Sequence, residues 1–197
     1  MEKDSVKAVV LLSGSGRTLE NFLAKKAAGE LAVDIIAVVS SRTGVRGVEV
    51  ARDHGIPCEV FRRRDFDSIE GHNAAINGWL ESHGPRIIIL AGYLCFYIQP
   101  EWFAGPVVNI HPALLPKYGG QGFYGDRVHE AVLAAGDSET GCTVHLVDDE
   151  YDHGRILGQQ KVQVMPGDDV AALAERVFAA ECELYPRMLS LLAAEMA

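Results

Sequence analysis

Residues 7–18 read K-A-V-V-L-L-S-G-S-G-R-T. The apolar run is typical of a buried parallel strand, and the S-G-S-G that follows is typical of a tight turn into a helix. A helix start offers free backbone N–H groups and the positive end of the helix dipole, which favour a phosphate. Leu19 stands where a dinucleotide fingerprint needs a third glycine, and the G-K-[ST] of a P-loop is missing. The stretch therefore predicts either a site for a single phosphate or a glycine turn that binds nothing.

Outward from this stretch, apolar runs alternate with amphipathic segments through the first half of the chain. The apolar runs predict strands over residues 7–12, 33–39, 57–61, 86–91 and 107–110. Helices are predicted directly after the first turn and over residues 45–54 and 66–83. Such an alternation predicts an α/β fold with a doubly wound, mostly parallel sheet and right-handed crossovers.

After Pro112 the pattern changes. Residues 143–147 and 156–164 alternate apolar and polar positions, at least in part, which predicts an antiparallel pair of strands toward the C-terminus. A long final helix is predicted after Asp168, and Pro186 is expected to kink or divide it. The length of 197 residues suits one domain.

Charge and composition limit the classes of partner. The formal net charge is −9, so contact with nucleic acid or an anionic membrane would be repulsive. The four cysteines form no C-x-x-C pair, which argues against a zinc cluster, a redox motif or a disulfide framework. The N-terminus has no signal-peptide layout and no apolar run is long enough to cross a membrane, so the cytoplasm is the expected location.

A second candidate for chemistry is the segment V-N-I-H-P at residues 108–112. In an extended chain Asn109 and His111 point to the same side, at the carboxyl end of a strand where α/β sheets bind ligands. An amide donor beside an imidazole can stabilise a developing oxyanion. The alternative is a histidine whose hydrogen bonds are satisfied by the backbone at a strand end.

A third candidate is the acidic segment at residues 148–154, which reads D-D-E-Y-D-H-G. Asp148 and Asp149 fit a solvated loop, whereas Asp152 could stabilise an imidazolium and relay a proton. The competing interpretation is a metal site built from Asp152 and several histidines (His111, His129, His145 and His153), although no H-E-x-x-H pair is present.

Ionisable residues also occur in the predicted helices. Glu181 lies at the edge of the apolar stripe of the final helix, either as an exposed edge residue or as a buried receptor for an amine. His54, His72 and His83 are predicted to lie on helix surfaces.

Five segments occur in an order that resembles the folate-dependent formyltransferases. They read V-V-L-L-S-G-S-G, I-I-L-A-G-Y, V-N-I-H-P-A-L-L-P-K-Y, G-C-T-V-H-L-V and Y-D-H-G. The resemblance runs from Val9 to Pro186, and the third segment with the later D-x-G is specific to this superfamily.

The resemblance implies transfer of a formyl group from the co-substrate 10-formyltetrahydrofolate to an amine, that of glycinamide ribonucleotide in purine biosynthesis. It implies a catalytic trio of Asn109, His111 and Asp152, with a protonated histidine and the amide stabilising the oxyanion. The substrate residues that it implies are, for the phosphate and ribonucleotide, Ser15, Gly16, Arg17, Thr18 and Glu181, and for the folate, Leu94, Cys95, Phe96, Tyr97 and Asn109. Glu181 is the implied contact of the glycinamide amine.

The same resemblance implies a single formyltransferase domain over residues 1–197. Its phosphate-binding half extends to about residue 105, and its catalytic and folate half begins at about residue 106. It implies small-molecule substrates, no metal, no nucleic acid and no membrane, and a monomer or homodimer.

The sequence departs from the family pattern in places that bear on the substrates. A longer glycine-rich loop at residues 119–127 replaces P-G and two nearby histidines, and only His129 follows it. Cys95 replaces a basic residue common in the folate stretch, and Ile69 stands where an arginine is frequent near the folate tail. Y-D-H-G-R replaces L-D-G-G-P. Affinity for the folate tail and the identity of the acceptor therefore stay open.

Three other functions compete with this interpretation. One is formyl transfer to another amine, such as an amino sugar nucleotide; methionyl-tRNA is disfavoured because those relatives carry an extra C-terminal domain and because this chain is acidic. Another is hydrolysis of formyltetrahydrofolate, whose enzymes usually carry an N-terminal regulatory domain. The third is a binder without catalysis, disfavoured because all three trio positions are filled.

Overall fold

The computed structural model describes residues 5–196. Its strands are β1 (Val6–Leu12), β2 (Val33–Ser40), β3 (Cys58–Val60), β4 (Ile87–Leu90), β5 (Val107–His111), β6 (Glu139–Leu146) and β7 (Ile156–Gln163). Its α-helices are α1 (Arg17–Ala27), α2 (Arg46–Asp53), α3 (Ile69–Glu81), α4 (Asp126–Ala135) and α5 (Val170–Glu195).

The strands form one sheet in the order β3-β2-β1-β4-β5-β6-β7. β1 pairs in parallel with β2 and β4, β2 pairs in parallel with β3, and β6 pairs antiparallel with β7. The predicted α/β fold, with a mostly parallel sheet, antiparallel strands near the C-terminus and a long final helix, is confirmed. β1 is buried at every position from Ala8 to Leu12, which explains why its sequence is a continuous apolar run.

Contacts within the chain define two compact units. The first contains the described residues up to Val108 and those from Leu189 onward, and the second contains residues 109–188. The core of the first unit includes Phe22, Ile76 and Leu80, and that of the second includes Leu173 and Leu184.

The turn between β1 and α1 needs a glycine for two reasons. Gly16 precedes α1 with φ of 75°, in the left-handed region that favours glycine. A Cβ on Gly16 would also meet the backbone Cα of Gly47 at 2.5 Å. The close approach of the two chain segments therefore depends on this residue.

The structure corrects the sequence-based helix assignment at two places. The predicted loop at residues 119–127 ends earlier, because α4 begins at Asp126, and the sequence analysis did not identify this helix. Pro186 does not divide the last helix, since α5 continues through it. Leu184, Tyr185, Met188 and Leu189 are buried around the proline, and this packing outweighs the lost backbone hydrogen bond.

His72 was predicted to lie on a helix surface, and this prediction is wrong. The His72 side chain is buried, and its Nε2 lies 2.9 Å from the carbonyl oxygen of Phe61. An imidazole with a backbone partner can replace an apolar residue on the inner face of α3. His54 is exposed and His83 is half-buried.

No helix among residues 5–196 is long and apolar enough to cross a membrane.

Candidate active site

Asn109 and His111, two residues of the candidate trio, each lie within hydrogen-bonding reach of the third, Asp152, on the second compact unit. Asn109 and His111 end β5, and Asp152 lies in the turn between β6 and β7. Nδ1 of His111 is 3.3 Å from Oδ2 of Asp152, and the amide Nδ2 of Asn109 is 3.4 Å from Oδ1 of Asp152. One carboxylate therefore faces both the imidazole and the amide.

The loop after β5 contacts the same groups through its main chain. Nε2–H of His111 donates to the carbonyl oxygen of Tyr118 at 2.7 Å. The backbone N–H of Gly120 donates to Oδ2 of Asp152 at 3.0 Å. Both ring nitrogens of His111 thus face a protein oxygen, and the ring is 3% exposed.

Burial controls the charge of His111. Removal of the imidazolium from water lowers the pKa of His111 below its ordinary value, and this effect exceeds the opposing attraction of Asp152. Because Nε2 carries a hydrogen toward Tyr118, the neutral ring presents the lone pair of Nδ1 to Asp152. A proton that arrives at Nδ1 creates an imidazolium held by a carboxylate.

Asp152 is kept ionised by its neighbours. Burial pushes the pKa of Asp152 upward, but His145 and His111, in the state in which they carry a proton toward the carboxylate, and the backbone N–H of Gly120 together outweigh this effect and lower it. The carboxylate is therefore charged at neutral pH, in a position where its side chain is 10% exposed.

His145 is a member of this cluster that the sequence analysis considered only as a metal ligand. Nδ1–H of His145 donates to the carbonyl oxygen of Leu146 at 2.8 Å, which leaves Nε2 as an acceptor. Nε2 lies 3.1 Å from Nδ2 of Asn109 and accepts its second amide hydrogen. The signal in the sequence was the segment G-C-T-V-H-L-V, in which this histidine is the last residue but one of β6.

The other histidines of the metal interpretation are not gathered with the trio into a ligand set. Among residues 5–196, no group of three or more His, Cys, Asp or Glu side chains is arranged to hold a metal ion. His153 is exposed and pairs with Asp148, at 2.8 Å between Nδ1 and Oδ2. His129 is buried on α4, which lowers its pKa.

The candidate phosphate residues lie at the start of α1, in the first compact unit. Ser15 and Arg17 are exposed, Thr18 is half-buried, and Gly16 precedes the helix without a capping side chain. The first backbone N–H groups of a helix have no intrahelical partner, so this end can accept an anion.

The candidate folate stretch divides into accessible and structural residues. Leu94 is 45% exposed, and Cys95 and Phe96 are half-buried. Tyr97 is buried, and its hydroxyl donates to Oδ1 of Asn77 at 2.7 Å, so its side chain is engaged within the protein. The stretch is tied to the end of β1, because the backbone N–H of Leu94 donates to the hydroxyl of Ser13.

Glu181 lies on α5 in the second unit and is half-buried. Burial raises the pKa of the Cys142 thiol to about 12, and the negative charge of Glu181 adds to this effect. Glu181 is therefore close to β6.

Comparison of the sequence with known proteins shows the family of this chain. Residues 6–189 match the formyl transferase family. The chain is 35% identical over 186 residues to phosphoribosylglycinamide formyltransferase of Haemophilus influenzae, covering 93% of this chain and 85% of the relative. It is 38% identical over 192 residues to the trifunctional purine biosynthetic protein adenosine-3 of Drosophila pseudoobscura pseudoobscura, covering 95% of this chain. There it spans only 14% of the relative's length.

A solved structure gives the same result for the fold. Glycinamide ribonucleotide transformylase 1 from Symbiobacterium toebii superposes with a TM-score of 0.89 at 32% sequence identity, over 96% of this chain and 88% of that one. The family match covers residues 6–189, which is most of the chain, and the fold of this chain agrees with that of the solved structure. The chain belongs to the formyl transferase family.

Proposed function

We propose that this protein transfers the formyl group of 10-formyltetrahydrofolate to the amine of glycinamide ribonucleotide, as a phosphoribosylglycinamide formyltransferase of purine biosynthesis. The observation that carries the proposal is the convergence of Asn109, His111 and Asp152, with distances of 3.3 and 3.4 Å to one carboxylate. The relatives named above, from Haemophilus influenzae and Symbiobacterium toebii, carry this activity in their names and support the choice of acceptor.

The proposed reaction is a direct displacement at the formyl carbon. The substrate amine attacks that carbon, a C–N bond forms, and the carbonyl oxygen becomes an oxyanion. His111, once protonated at Nδ1, stabilises this oxyanion by its positive charge, and the Asn109 amide stabilises it when the hydrogen that faces Asp152 turns to the oxyanion. Asp152 stabilises the imidazolium. The bond from the formyl carbon to the folate nitrogen then breaks, the leaving nitrogen takes a proton, and the product amide loses one from the former amine.

The proposal also assigns the binding residues. The ribonucleotide phosphate binds at the start of α1, at Ser15, Gly16, Arg17 and Thr18, and Glu181 contacts the amine. The folate binds along Leu94, Cys95, Phe96 and Tyr97 and reaches Asn109; because the Tyr97 side chain is engaged with Asn77, Tyr97 contributes through its backbone.

The remaining parts of the proposal concern the protein as a whole. It acts in the cytoplasm as a monomer or homodimer, on small molecules, without metal, nucleic acid or membrane. Residues 1–197 form a single formyltransferase domain, with a phosphate-binding half to about residue 105 and a catalytic and folate half from about residue 106.

An absorbance assay of 10-formyltetrahydrofolate, with and without glycinamide ribonucleotide, tests the activity. We expect loss of the formyl group only when the ribonucleotide is present. Loss without an acceptor would instead establish a hydrolase, and no loss in either mixture would redirect the search to other amines such as amino sugar nucleotides.

The variants His111→Ala and Asn109→Ala test the residues in the same assay. We expect Asn109→Ala to lower kcat about 100- to 1,000-fold, the usual cost of one oxyanion donor, and His111→Ala to abolish transfer. Circular dichroism and thermal unfolding serve as the fold control. Turnover near the wild-type rate in a folded His111→Ala protein would contradict the proposed mechanism.

A further inference from the structure

Asp137 has no part in the reaction as described so far, but its carboxylate holds a residue that contacts His111. The hydroxyl of Tyr118 donates to Oδ2 of Asp137 at 2.9 Å. The ammonium group of Lys117 donates to the same oxygen, also at 2.9 Å. The hydrogen bond from Lys117, and after it that from Tyr118, lower the pKa of Asp137, so the acceptor is a carboxylate at neutral pH. Two consecutive residues of the loop after β5 are therefore tied to one charged group.

The position of Asp137 is itself fixed by the end of α4 and the start of β6. Gly136 ends α4 with φ of 68°, and the backbone N–H of Asp137 donates to the carbonyl oxygen of Val132 at 3.4 Å. On the other side, the carbonyl oxygen of Ser138 accepts from the backbone N–H of Val164 at 3.0 Å. Because both neighbours of Asp137 are held by regular structure, its carboxylate is a firm anchor for the loop.

Tyr118 depends on such an anchor because its backbone is left-handed. Its φ is 55°, a conformation that a non-glycine residue keeps only where the surroundings hold it. Its ring also packs edge-on against Phe123, with 6.3 Å between the ring centroids. The hydroxyl and the ring are thus both held, and they keep the carbonyl oxygen of Tyr118 in the direction of His111.

That carbonyl competes with Asp152 for the single hydrogen of a neutral His111 ring. Oδ2 of Asp152 lies 3.3 Å from Nδ1 and, as a charged acceptor, would hold the hydrogen on Nδ1 if it had no competitor. The carbonyl oxygen of Tyr118 lies closer, 2.7 Å from Nε2, and this shorter distance favours the hydrogen on Nε2. A displaced carbonyl would lose the advantage, and the hydrogen would move to Nδ1.

We propose that Asp137 is a positioning residue, which acts through the hydroxyl of Tyr118 to keep the hydrogen of neutral His111 on Nε2. Nδ1, the nitrogen that faces Asp152, is then the one that takes up and releases the proton of the reaction. The inference rests on the proposed function, in which His111 is protonated at Nδ1. It gives a role in the chemistry to a residue outside the segments that carry the trio.

Two variants break the contact from its two sides, and a third serves as the control. Tyr118→Phe removes the hydroxyl and keeps the ring, and Asp137→Ala removes the acceptor. The control is Glu139→Ala, because Glu139 is also a carboxylate paired with a lysine, Lys161, at 2.8 Å. Its loss changes the net charge by the same amount as the loss of Asp137, and among residues 5–196 it has no hydrogen bond to Tyr118.

Heteronuclear NMR of protein with labelled histidine nitrogens gives a readout that needs no substrate. A ring nitrogen that bears hydrogen and one that does not differ in chemical shift, and the His111 signals are identified by their absence from His111→Ala. Above the pH at which His111 is protonated, we expect the hydrogen on Nε2 in the wild type and in Glu139→Ala. In Tyr118→Phe and Asp137→Ala, the ratio of Nδ1–H to Nε2–H rings should rise about 2- to 10-fold, the equilibrium factor of one net hydrogen bond.

The same spectra, recorded across pH, follow the protonation of His111. Its midpoint should fall in Tyr118→Phe and Asp137→Ala, because the carbonyl that accepts a hydrogen bond from the imidazolium is no longer held in place. The other ionisable groups that act on His111, which are Asp152, His145 and His129, stay the same in these variants.

Steady-state kinetics measure the effect on the reaction. We expect kcat to fall about 10-fold in Tyr118→Phe and in Asp137→Ala, less than the roughly 100-fold cost of a misplaced catalytic group, because His111 itself stays in place. The KM of either substrate should change less. The double variant should be no slower than Asp137→Ala, because both changes remove the same contact. Glu139→Ala should keep the wild-type kcat.

Either of two results would overturn the inference: the wild-type tautomer and midpoint of His111 in Tyr118→Phe, or losses of kcat that multiply in the double variant. Its failure is separable from failure of the proposed function. A change of tautomer in a protein that transfers no formyl group would leave the role of Asp137 standing and refute the activity, and normal transfer with one tautomer in all variants would do the reverse.

Discussion

His111 is contacted by two residues with unusual backbones. Among residues 5–196, the non-glycine residues with positive φ are Tyr118, at 55°, and Asp152, at 54°. Such conformations cost about 1–3 kcal/mol each and persist where the surroundings impose them. Tyr118 supplies the carbonyl oxygen that faces Nε2 of His111, and Asp152 supplies the carboxylate that faces Nδ1. Local strain therefore points to the same histidine as the sequence motif, by an independent route.

The neighbouring His145 fixes the direction of the Asn109 amide, and this leads to a prediction. His145→Phe keeps a ring of similar shape but removes the acceptor for Nδ2 of Asn109, so the amide can rotate away from its working direction. We expect kcat to fall by up to about 100-fold, as for a misplaced catalytic group, with a smaller change in the KM of the folate. Steady-state kinetics at saturating ribonucleotide provide the measurement.

Thr140 offers a control for that variant on the same strand. Its hydroxyl is buried and, within the described residues, has no hydrogen-bond partner. Thr140→Val should therefore leave kcat near the wild-type value and should not reduce stability. An equal loss of kcat in both variants would mean that β6 tolerates no change, and the positioning role of His145 would be wrong.

The sequence predicts Asn109, His111 and Asp152 as candidate catalytic residues, but it does not predict the contact that His145 makes with them. The first three lie in segments whose spacing or resemblance marks them. The role of His145 depends on the pairing of its Nδ1 with the Leu146 carbonyl, a tertiary detail of tautomer and strand end that no local pattern encodes. His72 was misjudged for a related reason, since a backbone acceptor can make a histidine as suitable for the interior as an apolar residue.

At the level of elements, helix α3 holds the candidate folate stretch by side-chain to backbone bonds. Nδ2 of Asn73 donates to the carbonyl oxygen of Phe96 at 3.0 Å, and Oδ1 of Asn73 accepts from the backbone N–H of Ile98 at 2.9 Å. Asn77 adds a bond to the carbonyl oxygen of Ile98. The asparagine amides thus take the place of a neighbouring strand for a segment that has none of its own in the sheet.

We predict that Asn73→Ala loosens this stretch. The partly buried backbone groups of Phe96 and Ile98 lose their partner, which should lower the free energy of unfolding by about 1–3 kcal/mol. The KM of the folate should rise more than kcat falls. Denaturant unfolding and kinetics measure both effects, with the exposed Glu81→Ala at the end of the same helix as a control expected to change stability by less than about 0.5 kcal/mol. A stable variant with unchanged folate KM would refute the role.

The turn that carries Asp152 depends on a glycine for space. A Cβ on Gly154 would overlap the carbonyl oxygen of Leu146, so the turn would have to shift. We predict that Gly154→Ala reduces both stability and kcat, because the shift moves Asp152 away from His111. Gly78→Ala is the matched control, since a Cβ there meets no atom within 4 Å and alanine favours the helix by about 0.5–1 kcal/mol. Thermal unfolding and steady-state kinetics measure both variants. The Tm and kcat should fall in Gly154→Ala, whereas in Gly78→Ala the Tm should stay the same or rise and kcat should not change.

The sequence predicted the strands well and helix α4 not at all. Long apolar runs such as β1 can only be buried, whereas α4 is a helix of 10 residues that begins directly after a glycine-rich segment. Gly125 precedes it without a capping side chain, so the usual signal of a helix start is missing. Residues 119–127 were accordingly interpreted as a loop, and no helix was predicted between this loop and β6.

At the scale of the whole molecule, buried neutral histidines make stability depend on pH. Burial lowers the pKa of His111 and His129 below the values they have in the unfolded chain. Below about pH 6.5 the unfolded chain therefore binds protons that the folded protein does not, and the free energy of unfolding falls until the pH reaches the folded pKa values.

We predict a steeper loss of stability between pH 7.5 and pH 5 in the wild type than in His129→Gln, which removes one of these groups. Urea unfolding at each pH measures the slope. The exposed His54→Gln is the control and should keep the wild-type slope. If His129→Gln and the wild type have the same slope, the burial of a neutral His129 does not contribute to acid sensitivity.

Among the described residues, the loop after β5 forms its hydrogen bonds to the trio through two main-chain groups, the carbonyl of Tyr118 and the N–H of Gly120. A main-chain contact survives any substitution that keeps the backbone path, so selection on catalysis exerts little control over the side chains of this segment. A change in the length or composition of residues 119–127 that keeps this backbone path is therefore compatible with the same contacts to His111 and Asp152. The side chains of this loop that do not fix the backbone of Tyr118 and Gly120 are therefore open to redesign.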